Sequence, residues 1–190
     1  MTNKELADNI EYVAKKEIEE FGLPTKRHYD LSLEYGIELA KRLRVDVDVV
    51  RAGVALMDIK LGQSAKEGKQ PQHVEICKQF TEELLHSFGV QEPLFTQLVN
   101  CVEAHHGKVP FASLEAEIVA NADCYRFIHP RGVMSFYATV IKRGNEHDAA
   151  LKAVKAKLDE KKGILSLKEA KDDLEKYYNW FDTIIEEAYD

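Results

Sequence analysis

The segment VDVVRAGVALMDI, residues 47–59, constrains the fold more than any other stretch of the chain. Wound as a helix it is apolar on nearly every side, and such a helix is stable only where other elements enclose it. Asp46 suits its N-cap, because a side-chain oxygen there can accept from the free N–H groups of the first turn. The remaining sequence must therefore supply a jacket of amphipathic helices.

It has the spacing for one. Leu6, Ile10, Val13 and Ala14 repeat at helical intervals until Gly22 and Pro24 stop the first helix. A second runs from Lys26 to Leu43 with Leu33, Ile37, Ala40 and Leu43 inward. After the central helix, KLGQSAKEGKQPQ (residues 60–72) reads as a polar loop, and loops of that length are often functional. A fourth helix begins near Pro71, carries Val74, Cys77, Phe80 and Leu84, and stops at Gly89. A fifth spans Pro93 to His106 and ends at Gly107, while Ser113 caps a sixth, LEAEIVANADCYRFI. Three further helices are expected from Gly132 onward, the last carrying Trp180, Phe181, Ile184 and Ile185 to cover the core. No strand pattern, repeat or low-complexity run interrupts this series, so the expected class is all-α, with residues 1–190 forming one domain.

Composition narrows the function classes. The chain carries 26 Lys+Arg against 33 Asp+Glu, a net charge of −7, and its basic residues are interleaved with acids. That argues against a nucleic-acid surface, which needs a concentrated basic patch. Cys77, Cys101 and Cys124 are widely spaced among apolar helical residues, as buried free thiols of a reducing compartment would be. The N-terminal stretch MTNKELADNIEYVAKK lacks an apolar signal core, and no run reaches the roughly 18 apolar residues of a membrane span. The expected location is cytoplasmic, with no membrane partner.

The residues able to do chemistry lie at helix ends. His28 opens the second helix, Asp58 closes the third, His73 opens the fourth, and His105 and His106 close the fifth. Asp123 sits in the apolar sixth helix, where a buried carboxylate requires a partner. Singly, each histidine has an ordinary alternative role as a cap or a dipole partner. His86, His129 and His147 occupy polar or terminal contexts and stand apart. Together, imidazoles and carboxylates brought to one cleft by several helices are the ligand set of a divalent ion such as Mn, Fe, Zn, Ni or Mg.

The order of these residues resembles the HD superfamily of metal-dependent phosphohydrolases. Its pattern is an early His, a His-Asp pair closing a central apolar helix, later histidines in one branch, and a distal Asp. His28 in KRHYDLSLEYGIELAKRL, Asp58 after VVRAGVALM, His73, the EAHHG histidines His105 and His106, and Asp123 in LEAEIVANADCYRFI match in that order. The resemblance covers about residues 24–144, leaving 145–190 as a C-terminal helical extension. Two positions depart from the pattern: Met57 stands where the His of the pair belongs, and Lys60 where the family often has glycine.

The resemblance implies an HD-like helical bundle and a metal site of His28, Asp58 and Asp123, to which His73, His105 and His106 could add ligands for one ion and part of a second. It implies hydrolysis of a small phosphate ester or nucleotide, with Asp58 and Lys60 as catalytic candidates. Lys60, Lys66, Lys69 and Lys108, in loops after the candidate ligands, are expected to attract the phosphate. A thioether is a poor ligand for these metals, so Met57 implies either an impaired hydrolase or a metal-free binding or regulatory module. Part of the superfamily uses a di-iron pair for oxygenation, which the missing pair histidine disfavours.

Overall fold

The computed structural model describes residues 1–188. Its helices are α1 (Asn3–Phe21), α2 (Lys26–Leu43), α3 (Val47–Met57), α4 (Leu61–Lys66), α5 (His73–Ser87), α6 (Leu94–Ala104), α7 (Leu114–Ile128), α8 (Pro130–Lys142), α9 (His147–Ile164) and α10 (Lys168–Glu187). A 3₁₀ turn, Gln70–Gln72, precedes α5, and there is no strand among the described residues. No helix of these residues is long and apolar enough to cross a membrane.

α3 is central, packed against α1, α2, α5, α6 and α7. Two apolar stripes run along it. Val49, Ala52, Ala55 and Leu56 join Leu6 and Ile10 of α1, Cys77 of α5 and Leu98 of α6 in one buried cluster. Val50, Val54 and Met57, spaced by one turn each, join Leu39 of α2, Cys101 of α6, Val119, Ala122 and Tyr125 of α7, and Leu174 of α10 in the other. The expected caps are in place, Asp46 accepting from the N–H groups of Asp48 and Val49 and Ser113 from that of Ala116, and Thr25 Oγ1 caps α2 by accepting from the His28 N–H. All three cysteines are buried free thiols.

α7 is enclosed as well. Every residue from Ile118 to Ile128 is buried, so Asp123 and Arg126 lie inside the bundle. α8 starts hard against it: a Cβ on Gly132 would stand 2.2 Å from the Arg126 carbonyl oxygen. α9 and α10, in the segment beyond residue 144, pack on α7 and place Val154, Leu158, Ala170 and Leu174 in the second cluster.

Two expectations are corrected. Residues 60–72 are not an irregular loop, because Leu61 donates to the Asp58 carbonyl and Ser64 to that of Lys60, carrying the chain into α4. Gly62 is a close-approach residue there, since a Cβ would lie 2.7 Å from the Leu23 carbonyl oxygen. The terminal helix is also less embedded than its apolar cluster suggests. Ile185 is buried, but Trp180 is 59% and Ile184 56% exposed, because α10 packs on α7 and α9 along one stripe only.

The α7–α8 junction generates a prediction. Gly132→Ala must push α8 off the α7 backbone, and overpacking of that kind costs about 1–3 kcal/mol. Urea unfolding should show a lower midpoint at unchanged slope; coincident curves would refute the close packing.

Candidate metal centre

Six candidate residues line one cavity of about 660 Å³, counted out to open solvent. They are His28, Asp58, His73, His105, His106 and Asp123, and the wall also includes Arg126, Arg143, Lys157 and Lys161. Each arrives for a local reason. His28 lies in the first turn of α2, fixed by the Thr25 cap. Asp58 follows the last residue of α3, where the backbone leaves helical geometry (φ −126°, ψ 22°). His73 begins α5, and His105 and His106 follow the last residue of α6.

Two of the histidines are held in defined tautomers. His73 Nδ1 lies 2.8 Å from the Gln70 carbonyl oxygen, and His105 Nδ1 lies 2.7 Å from that of Val102. A carbonyl only accepts, so both Nδ1 atoms donate, and each Nε2 presents a lone pair to the cavity when its ring is neutral. His105 Nε2 is buried and has no hydrogen-bond partner among the described residues. Asp58 Oδ1 stands 3.7 Å from both of these Nε2 atoms. That is too long for a hydrogen bond. It suits neighbouring ligands of one ion, since tetrahedral ligands about 2.1 Å from zinc are about 3.4 Å apart.

His106 completes the group. Its Nε2 lies 3.2 Å from His73 Nε2, and one donor atom from each of the three histidines lies within 4.8 Å of the other two. On its far side, His106 Nδ1 has both an acceptor, Glu160 Oε1 at 3.3 Å, and a donor, Lys161 Nζ at 3.4 Å. With Lys161 donating, the His106 proton sits on Nε2, which donates to His73 Nε2. With Glu160 accepting, its Nε2 lone pair faces the cavity as a ligand would require.

The two carboxylates carry a different arrangement. Arg126 Nη1 lies 2.5 Å from Asp58 Oδ2 and 2.8 Å from Asp123 Oδ1, and Lys161 Nζ lies 2.6 Å from Asp123 Oδ2. Burial alone would raise both carboxyls, but Arg126 overrides it at Asp58, and Lys161 then Arg126 override it at Asp123, so both fall well below the usual carboxylate range. Burial would likewise lower the Lys161 ammonium, and Asp123 raises it instead.

The sequence-derived sets divide here. Donor atoms of His73, His105 and His106 converge within 4.8 Å, with Asp58 Oδ1 3.7 Å from two of them, whereas Asp58 Oδ2 and Asp123 are taken up by Arg126. His28 is in the cavity wall, but its Nε2 donates to the Gly132 carbonyl at 3.1 Å. Met57 is 2% exposed within the apolar cluster and does not line the main cavity.

The four lysines expected to meet phosphate stand elsewhere. Lys60 pairs with Glu17 at 2.6 Å and lies over the Phe80 ring, and Lys66 lies over Phe21. Lys69 pairs with Glu67, and Lys108 lines a separate surface pocket with Pro110 and Ile164. Each follows a candidate ligand in sequence, but its helix or turn aims it away from the cavity.

The cavity's cations were not singled out in the sequence. Arg126 had a readable signal, being three residues after Asp123 inside an apolar helix, which puts both on one face. Lys157 and Lys161 sit in the charge-rich stretch KAKLDEKK, and Arg143 follows the last residue of α8. Nothing in one sequence sets them apart from solvated charges.

His28 gives the site a pH dependence. Burial, followed by the nearby Arg126 charge, lowers its imidazole from 6.5 to about 4. The folded form thus binds fewer protons than the unfolded chain between these values, and the stability His28 contributes is present above about 6.5 and lost as pH falls toward 4. With chelator present, His28→Gln should remove about one proton from the acid dependence of unfolding, roughly 1.4 kcal/mol per pH unit in that window. Parallel stability–pH curves for the two proteins would refute it.

Comparison with known proteins places this geometry in a fold. No protein-family model and no curated protein matches the sequence. A solved structure from an uncultured Thermotogales bacterium, described as a predicted HD superfamily hydrolase, matches with a TM-score of 0.67 at 16% identity, covering 96% of this chain and 90% of that one. Bacillus subtilis YpgQ matches with a TM-score of 0.66 at 14% identity over 99% and 96% of the two chains. At such identities the likeness is one of architecture, and the architecture of this chain is the all-α, HD-type helical fold.

Proposed function

We propose that the chain is a metal-dependent phosphohydrolase acting on a small phosphate ester or nucleotide. The observation that carries this is the orphaned, buried Nε2 of His105, 3.7 Å from Asp58 Oδ1 and grouped with donor atoms of His73 and His106 within 4.8 Å. Three imidazole nitrogens, with Asp58 Oδ1 beside two of them, are a donor set of the kind that zinc, manganese, iron or nickel takes. When bound, such an ion supplies Lewis acidity and lowers the pKa of a coordinated water.

The chain's own groups do the rest. Gln70 and Val102 hold His73 and His105 in the liganding tautomer. Arg143 and Lys157, on the cavity wall at α8 and α9, are placed to attract the phosphate in the role first expected of Lys60, Lys66, Lys69 and Lys108. Phe127, Phe136 and Leu61 give the cavity an apolar side, where the rest of a substrate can shed water. The HD-type fold shared with a predicted HD superfamily hydrolase supports the same reading.

One observation favours a second reading, a metal-free binding module: Arg126 and Lys161 already neutralise both carboxylates. Under it, His73 and His106 share only a hydrogen bond, the His105 ring packs beside His106, and the cavity binds an anion without turnover.

Metal content separates the two. Plasma mass spectrometry of the purified protein should find about one transition-metal ion per chain, and His105→Ala should remove it. A panel of phosphate esters should then be hydrolysed by the loaded protein, with Arg143→Ala and Lys157→Ala raising KM several-fold and changing kcat little. A protein that takes up no ion even when Mn²⁺ or Zn²⁺ is supplied, and binds phosphate unchanged, is the binding module.

A further inference from the structure

The cavity contains two cation-demanding groupings. One is the histidine cluster with Asp58 Oδ1. The other is the pair Asp58 Oδ2 and Asp123 Oδ1, which converge on a single guanidinium nitrogen at 2.5 and 2.8 Å. Asp58 and Asp123 are 6% and 2% exposed, so two negative charges meet in the interior and require a positive charge between them. A divalent ion would meet that requirement as well as a guanidinium.

We propose that Arg126 is the resident cation of this second position: it fills the place a further metal ion would take between Asp58 and Asp123, and so limits the chain to one ion, at the histidines. Three features fit this role. Arg126 is 3% exposed, which removes it from substrate recognition at the surface. Its Nε is buried without a partner, so the group is held by its two carboxylates and not by a full hydrogen-bond shell. Asp58 faces both ways, Oδ2 to Arg126 and Oδ1 to His73 and His105, so the guanidinium fixes the rotamer that offers Oδ1 to the cluster. Arg126 is thus a positioning residue, acting through Asp58. This inference rests in part on the histidine-bound ion proposed above.

Equilibrium dialysis against Mn²⁺, with metal counted by plasma mass spectrometry, tests it on the wild type, Arg126→Ala and Arg126→Lys. The expected counts are one, two and one ion per chain, because alanine vacates the position and lysine refills it. Arg126→Ala should also gain more in Tm from added Mn²⁺ than the wild type, since the ion restores the missing charge. Two ions in the wild type, or no ion gained by Arg126→Ala, would overturn the inference. So would an Arg126→Ala protein that stays unfolded at saturating Mn²⁺, because the ion then fails to replace the guanidinium. A wild type with no ion and an Arg126→Ala protein with one would instead sink the histidine-bound metal and leave the role of Arg126 standing.

Discussion

The buried charge network Asp58–Arg126–Asp123–Lys161 is the constraint on which the rest of the site depends. It joins the end of α3, the middle of α7 and the last turns of α9, three elements far apart in sequence. Deleting one member of such a network leaves an uncompensated charge in a low-dielectric interior, a loss of about 3–5 kcal/mol. The network therefore acts as a geometric specification. α9 cannot slide along α7 without parting Lys161 from Asp123, and the C-terminal end of α3 cannot rotate without parting Asp58 from Arg126.

That rigidity bears on the histidines. Metal sites work when ligands are held before the ion arrives, and the usual means is a hydrogen bond on the nitrogen facing away. His73 and His105 each have one from a backbone carbonyl within their own turn, Gln70 and Val102. Asp58 has the same support from a side chain, through Arg126. His106 is the adaptable member, because Glu160 and Lys161 at its Nδ1 serve opposite tautomers. A cluster with three fixed donors and one adjustable one can exist with or without its ion while the surrounding helices stay in place.

Much of this was legible in the sequence, for identifiable reasons. Asp46, Ser113 and the apolar stripes mark their helices because caps and periodicity are local properties of the chain. His28, Asp58, His73, His105, His106 and Asp123 were readable as a set because each lies at a helix end or in an apolar helix, and the structure lines one cavity with all six. The lysines were not legible, because following a ligand in sequence says nothing about direction. Lys60 is two residues from Asp58 yet pairs with Glu17 of α1, whereas Lys161 is more than a hundred residues away and reaches the His106 ring. Charge that meets a site from a distant helix is a tertiary fact, and one sequence does not encode it visibly.

Met57 and Asp58 show how packing and chemistry divide neighbouring residues. Met57 continues the stripe of Val50 and Val54 by one more turn, so the core facing α7 claims its side chain. Asp58, one step further round and past the last helical residue, is released from that stripe and enters the cavity. A thioether in this apolar cluster makes no demand for a hydrogen bond, whereas an imidazole at that place would need a hydrogen-bond partner or an ion within reach. With Arg126 already between the carboxylates, a further cation at that end of the cavity would face a guanidinium a few ångströms away. The apolar residue at 57 and the arginine at 126 are therefore compatible halves of one arrangement, in which the positive charge comes from α7 and the end of α3 contributes Asp58 alone.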